Sequence, residues 1–165
     1  MNRNLPTLDL PTMKLALLNQ VITLLETDLE TLSHAAAQTH RESTSAESKQ
    51  EGKYDTRGLE ASYLADAQAE QVVLLQENII RLKTLEMEDD ADIVKPGSIA
   101  ILSSDSNDHQ FFLLPAGGGI ELQYEGQALT VITPESPIGA LILGKTITDT
   151  LSTPQLGDVF VSEIY

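Results

Sequence analysis

The sequence predicts an α+β protein: an N-terminal antiparallel helical hairpin, in effect a coiled coil, followed by a β-rich domain with one short helix. Three observations predict it. Leu15, Leu18, Ile22, Leu25, Leu29, Leu32 and Ala36 recur at alternating steps of three and four, the a/d rhythm of a coiled coil. Ala61, Ala65, Val72, Leu75, Ile79 and Leu82 keep the same rhythm, with Gln68 as the polar position. After Pro96-Gly97 the texture changes to short β-branched and aromatic runs separated by turn residues, which read as strands.

The elements follow in order. Residues 1–11 form a lead-in punctuated by Pro6 and Pro11, and Thr12 is the expected N-cap of the first helix. Folding the two seams together pairs Leu15 with Leu82, Leu25 with Val72 and Ala36 with Ala61. Each pair sums to 97, so the fold-back lies near Ser48 and Lys49. The hairpin thus spans 12–88, with a polar tip at 42–58 where only Ala46 and Tyr54 are apolar. Leu17, Val21, Leu24, Leu74 and Ile80 lie off the seam and are expected to be exposed as a second stripe. Tyr63 is expected to pack, and Tyr54 to be exposed or in contact with a partner. The acidic run Glu86–Asp92 reads as solvated, and residues 89–96 as a linker.

In residues 97–165, Ile99, Ile101, Phe111, Leu113, Ile120, Leu122, Leu129 and Val131 mark the strands. Ser103–His109, Ala116–Gly119 and Glu125-Gly126 are the turns. Ser136-Pro137 opens a short helix, with Ser as N-cap and Pro at the first helical position, and Gly144 closes it. Asp158–Ile164 alternates again and gives a last strand.

Composition narrows the function. The 165 residues carry 25 acids against 10 bases, a net charge of −15, with 41% hydrophobic residues and no cysteine. Residues 1–92 hold 17 acids and 8 bases, and residues 93–165 hold 8 and 2. No basic stripe exists, which disfavours direct binding to nucleic acid or to an anionic membrane. A protein that docks on a basic protein surface fits the charge. Without cysteine there is no disulfide, thiolate metal site or cysteine catalysis. No signal peptide and no apolar run of about 18 residues are present, so the cytoplasm is the expected compartment.

The tip has an ordered charge pattern. Glu47, Glu51 and Asp55 are spaced by four, as are Lys49, Lys53 and Arg57, offset by two. On a helix the two sets lie about 200° apart, because each residue turns about 100°. With Glu60 close by, these carboxylates form a candidate Mg²⁺ site, since Mg²⁺ takes one or two carboxylates with waters and a phosphate. The plain alternative is a solvated helix end with weak ion pairs. His34, His40 and His109 are scattered without zinc spacing. Gly117-Gly118-Gly119 lacks the Lys-Ser/Thr and helix start of a phosphate loop and reads as a turn. No nucleophile elbow occurs, so an autonomous enzyme is not expected.

The segment Val131-Ile132-Thr133-Pro134-Glu135-Ser136-Pro137-Ile138-Gly139-Ala140-Leu141-Ile142-Leu143-Gly144-Lys145 resembles the signature of the bacterial Gre (GreA/GreB) transcript-cleavage factors. In that family a strand leads to Ser-Pro-Ile-Ala, then a small apolar helix and Gly-Lys. Gly97–Ile101, Gln110–Leu114 and Phe160–Tyr165 extend the likeness, as does the order of parts, so that it covers about residues 12–165. The resemblance implies that residues 97–165 form an FKBP-like domain. It also implies a transcription elongation factor: the domain docks on RNA polymerase, and the hairpin enters the secondary channel. There two tip acids help to hold a Mg²⁺ shared with the polymerase, and backtracked RNA is cleaved by the polymerase itself. Ser136, Pro137, Ile138 and Leu143 then belong to the docking element or to the core beneath it.

The tip departs from the family pattern. Aligned on Ala61 and Tyr63, Thr56 and Leu59 stand where the family has its two acids, and Asp55 and Glu60 lie one residue to either side. Ala140 replaces the family's Arg. The expectation is therefore a Gre-like, polymerase-binding factor with no intrinsic activity. If it uses a metal, Glu47, Glu51 and Asp55 are the ligands, with Glu60 as the alternate. The alternative is a non-catalytic scaffold whose coiled coil pairs with another protein or with itself. A peptidyl-prolyl isomerase is disfavoured, because the domain has no Trp and few aromatics to build such a pocket, and fold alone does not give function.

Overall fold

A helix of 38 residues opens the described chain: α1 runs Leu10–Glu47 and is about 57 Å long. The computed structural model describes residues 10–47, 56–88, 92–105, 107–124 and 126–165, without the side chains of 42–47, 56–59, 61, 62 and 124. Helix α2 spans Thr56–Lys83, about 42 Å. Then follow β1 Ile99–Ser103, β2 Asp108–Leu113, β3 Glu121–Tyr124, β4 Gln127–Ile132, α3 Pro137–Ile142, β5 Thr150–Thr153 and β6 Gly157–Ile164. The chain divides into two units: Thr23–Ile80, and the residues up to Ile22 together with Arg81–Tyr165.

Within Thr23–Ile80 the predicted seams hold. Leu25, Ala65 and Ile79 are buried, and Leu29, Leu32, Ala36, Val72 and Leu75 are half-buried. In a unit of two helices, buried stripes with this period face each other, which is the helical hairpin. The fold-back near Ser48 and Lys49 and Tyr54 lie outside the described residues. Tyr63, expected to pack, is 66% exposed. It sits two residues before Ala65 of the seam, and a 200° turn carries it to the outer face. At the margins of the polar tip α1 continues to Glu47 and α2 begins at Thr56.

The other unit corrects the start of the first helix. It begins at Leu10, so Thr12 lies inside the first turn and is not the cap. Pro11 does not interrupt it, because a proline in the first turn forgoes an N–H that has no intrahelical partner. The buried face is also rotated there. Leu15, a predicted seam residue, is 51% exposed, whereas Leu17 and Val21, predicted to be exposed, are buried. The buried set Met13, Lys14, Leu17, Leu18, Val21 and Ile22 comes as adjacent pairs every four residues. That is a broader face than a two-helix seam needs, suited to covering a sheet as well. Leu24, Leu74 and Ile80 are exposed as predicted.

The sheet has the order β3-β4-β2-β1-β6-β5. Only β2 and β4 are parallel, paired from Gln110↔Leu129 to Leu113↔Ile132. The strands β1–β4 and β6 correspond to the predicted runs. Strand β5, Thr-Leu-Ser-Thr, was not anticipated; it pairs with β6 through Leu151↔Val159. The turn expected at Ser103–His109 narrows to 104–107, because Ser103 and Asp108 already pair.

Registry sorts the side chains onto two faces. Ala100, Leu102, Phe111, Leu113, Ile132, Leu151, Val159 and Val161 form one core with Val94 and Ile142, and Ile138, Leu156 and Ile164 pack against it. On the opposite face Ile99, Phe112 and Val131 stand in register and are fully buried. The domain's pairing reaches back into the predicted linker. Ile93 bridges Thr146, and Val94, fully buried, donates its N–H to Lys145 O at 2.8 Å and accepts from Gly144 N at 2.7 Å.

Candidate functional site

The tip expected to carry a metal is described only at its margins. Glu47 closes α1, Glu51 and Asp55 lie outside the described residues, and Glu60 is exposed in the second turn of α2. Among the described residues no group of three or more His, Cys, Asp or Glu stands ready to hold a metal ion.

The Val131–Lys145 segment is built as one tight strand–turn–helix. Its chain leaves β4, turns at Thr133–Glu135 and enters α3 through Ser136, the N-cap, with φ −70° and ψ 152°. The Ser136 hydroxyl donates to Thr133 O at 2.8 Å and accepts from Gly139 N at 3.1 Å. This satisfies one of the amides that a helix start leaves open. Pro137 is exposed at the first helical position. The crossing of helix and turn is close enough to exclude a side chain at Gly139. A Cβ there would lie 1.9 Å from Thr133 O and 2.8 Å from the Ser136 hydroxyl.

Of the four residues predicted for docking, Ser136 is engaged in capping and Ile138 packs against the core. Pro137 and Leu143 are exposed. Leu143 ends the helix by donating its N–H to Gly139 O at 2.9 Å, and Gly144, with φ 77°, takes the left-handed conformation that glycine permits. The next turn is closed by Asp149. Its carboxylate accepts from Thr146 N at 2.8 Å and from the Thr146 hydroxyl at 3.1 Å. The Thr146 backbone N–H first, then its hydroxyl, hold the Asp149 carboxyl below the usual carboxylate range.

Two polar features were missed by sequence reading. Lys14 is only 1% exposed, and its ammonium donates to the Glu88 carbonyl at 2.7 Å. The Glu88 carboxylate pairs with Lys95, whose hydrogen bond and charge hold its pKa low, with a smaller contribution from Lys14. Nothing in the sequence sets Lys14 apart from a solvated lysine. The second is an open groove of about 470 Å³ lined by Asn107–Phe111, Gln127, Ala128 and Thr130. At its floor the Gln110 amide, 8% exposed, donates to Gln127 Oε1 at 2.8 Å. The ring of His109 stacks on Phe111 with centroids 6.5 Å apart. The glycine run is a turn, as read: Gly119 N donates to Val131 O and Ile120 N to Gly117 O.

The outer face of α2 is the remaining feature. Val73 and Leu74 are 53% and 58% exposed. With Ala69, Glu70 and Glu77 they line a shallow apolar depression. No helix among the described residues is long and apolar enough to cross a membrane.

No family model and no curated protein matches the chain. Among solved structures it is similar to the crystal structure of GreA factor homolog 1 (Gfh1) of Thermus thermophilus. That likeness has 19% identity and a TM-score of 0.37, over 87% of this chain and 94% of that one. It is similar also to the crystal structure of Thermus aquaticus Gfh1, at 19% identity and a TM-score of 0.36, over 87% and 92% of the two chains. A further structure, of the transcription factor Gfh1, matches at 19% identity and a TM-score of 0.34, over 86% and 90%.

Proposed function

We propose that this chain is a Gre-like factor that binds RNA polymerase, carries its helical hairpin into the secondary channel and modulates elongation or the cleavage of backtracked transcript. One observation carries the reading. The segment with the Gre-like signature folds as a single capped strand–turn–helix in which Ser136 caps the helix and Pro137 opens it. The long helices α1 and α2, which precede it, would supply the shaft. The net charge of −15 favours docking on a basic protein surface. Glu47, Glu51, Asp55 and Glu60 would then offer oxygen ligands to a Mg²⁺ held by the polymerase, a role for which one or two added carboxylates suffice.

The test is capture of purified bacterial core RNA polymerase by the full chain at low salt. Absence of binding sinks this reading. With binding in hand, a cleavage assay on a stalled, backtracked complex addresses the tip. Replacing Glu47, Glu51, Asp55 and Glu60 together by Ala is expected to abolish any stimulation of cleavage while binding persists. Stimulation that survives the four substitutions removes the metal role. The exposed Val73 and Leu74 favour a second reading, a non-catalytic scaffold; it predicts no effect on the polymerase at any salt concentration.

A further inference from the structure

The outer face of α2 presents a pattern that the polymerase reading does not use. Val73 and Leu74 project from adjacent positions and are more than half exposed. Glu70 lies one turn before them and Glu77 one turn after, both exposed. Glu70 and Glu77 are seven residues apart, about 10 Å along the axis. The face thus reads acid, apolar pair, acid, along the helix. Asp66 extends the acidic line by one more turn.

We infer that this face docks a basic amphipathic helix of a partner protein, one with two cations seven residues apart and apolar side chains between them. The spacing selects a helix. Side chains seven apart on a helix share a face and lie about 10 Å apart, matching Glu70 and Glu77. On a strand, about 10 Å corresponds to three residues, which point to opposite faces. The charges select the sign. A second copy of this chain would set Glu70 and Glu77 against acids of the same face, and the chain carries 25 acids to 10 bases. Phosphate-bearing ligands, nucleic acid or anionic lipid, are repelled for the same reason. The apolar pair supplies the desolvated centre of the contact, and the carboxylates set register and encounter rate. This inference does not depend on polymerase binding.

The test uses the full chain and an 18-residue Ala/Leu/Lys helical peptide. The peptide has Lys at two positions seven apart and Leu at the third and fourth positions after the first Lys. Calorimetry is expected to give saturable 1:1 binding. A peptide of the same composition in scrambled order should bind at least tenfold more weakly. V73D/L74D, at exposed positions and checked for wild-type helicity, should lose binding at least tenfold. E70K/E77K should lose the Lys peptide and gain a peptide with Glu in place of those two Lys. Equal binding of the scrambled peptide, no effect of V73D/L74D, failure of the charge exchange, or a wild-type dimer that V73D/L74D converts to monomer would each overturn the proposal.

Discussion

Replacing Gly139 by Ala adds one methyl group where the structure has no room for it. The added Cβ would stand 1.9 Å from Thr133 O, whereas real Cβ contacts stay beyond 3.0 Å. Helix and turn must therefore part by about 1.1 Å. The neighbours it meets are a backbone carbonyl and the cap hydroxyl, neither of which is the free end of a flexible side chain. Overpacking of this kind costs about 1–3 kcal/mol. The displacement also stretches the 3.1 Å bond from Gly139 N to Ser136, and a lost cap costs about 1 kcal/mol. Against this, Ala restricts the unfolded chain and returns about 0.4–1 kcal/mol. The balance is a destabilisation of about 1–3.5 kcal/mol. Urea unfolding gives the total, and amide hydrogen exchange at β4 and α3 reports the unit that holds the site. A loss below about 0.5 kcal/mol, with exchange in α3 unchanged, would refute the close crossing of helix and turn.

Lys14→Met keeps the buried stem but leaves the Glu88 carbonyl without its charged donor. It is expected to destabilise by about 1–3 kcal/mol, with faster exchange of amides near residue 88; a neutral effect in urea unfolding would show that the 2.7 Å bond contributes nothing. The folded-state pKa of Asp149 is depressed by Thr146. Its contribution to stability is therefore present above the unfolded value of about 3.9 and is lost as pH falls through the lower folded value. Asp149→Asn should remove that part of the acid-side decline and leave the slope above pH 6 unchanged; unaltered acid unfolding would contradict the turn geometry.

How much was legible follows the physics of each part. Leu25, Leu29, Leu32, Val72 and Leu75 could be placed on a seam because a two-helix unit buries one stripe, and its period is written in the sequence. Near the base of α1 that rule placed Leu18 and Ile22 correctly but not Leu15, Leu17 and Val21, because the first turns of α1 belong to the unit of Arg81–Tyr165 and are no longer part of a two-helix unit. Strands rich in Ile, Val and Phe announced themselves. Strand β5 did not, because Thr and Ser suit a turn as well as an edge strand, and only pairing with β6 decides between them. At the candidate site, Ser136-Pro137 and the closing Gly144 were readable as local helix signals. The demand on Gly139 was not, since it arises from a carbonyl six residues back, brought close by the turn. Lys14 was invisible for a similar reason: burial of a cation depends on an acceptor more than seventy residues away.

The strand order has a kinetic consequence. Strand β6 lies inside the sheet, between β1 and β5, and its pairing of Ala100 with Ile164 closes a loop of more than sixty residues. Loop closure of that size must precede the reward of the contacts it makes, whereas the helical turns of α1 and α2 form from neighbours in sequence within microseconds. The helices therefore gain their local structure while β1 still has an open edge. Substitutions in β6 should slow folding, and those in the peripheral strand β5 should chiefly speed unfolding.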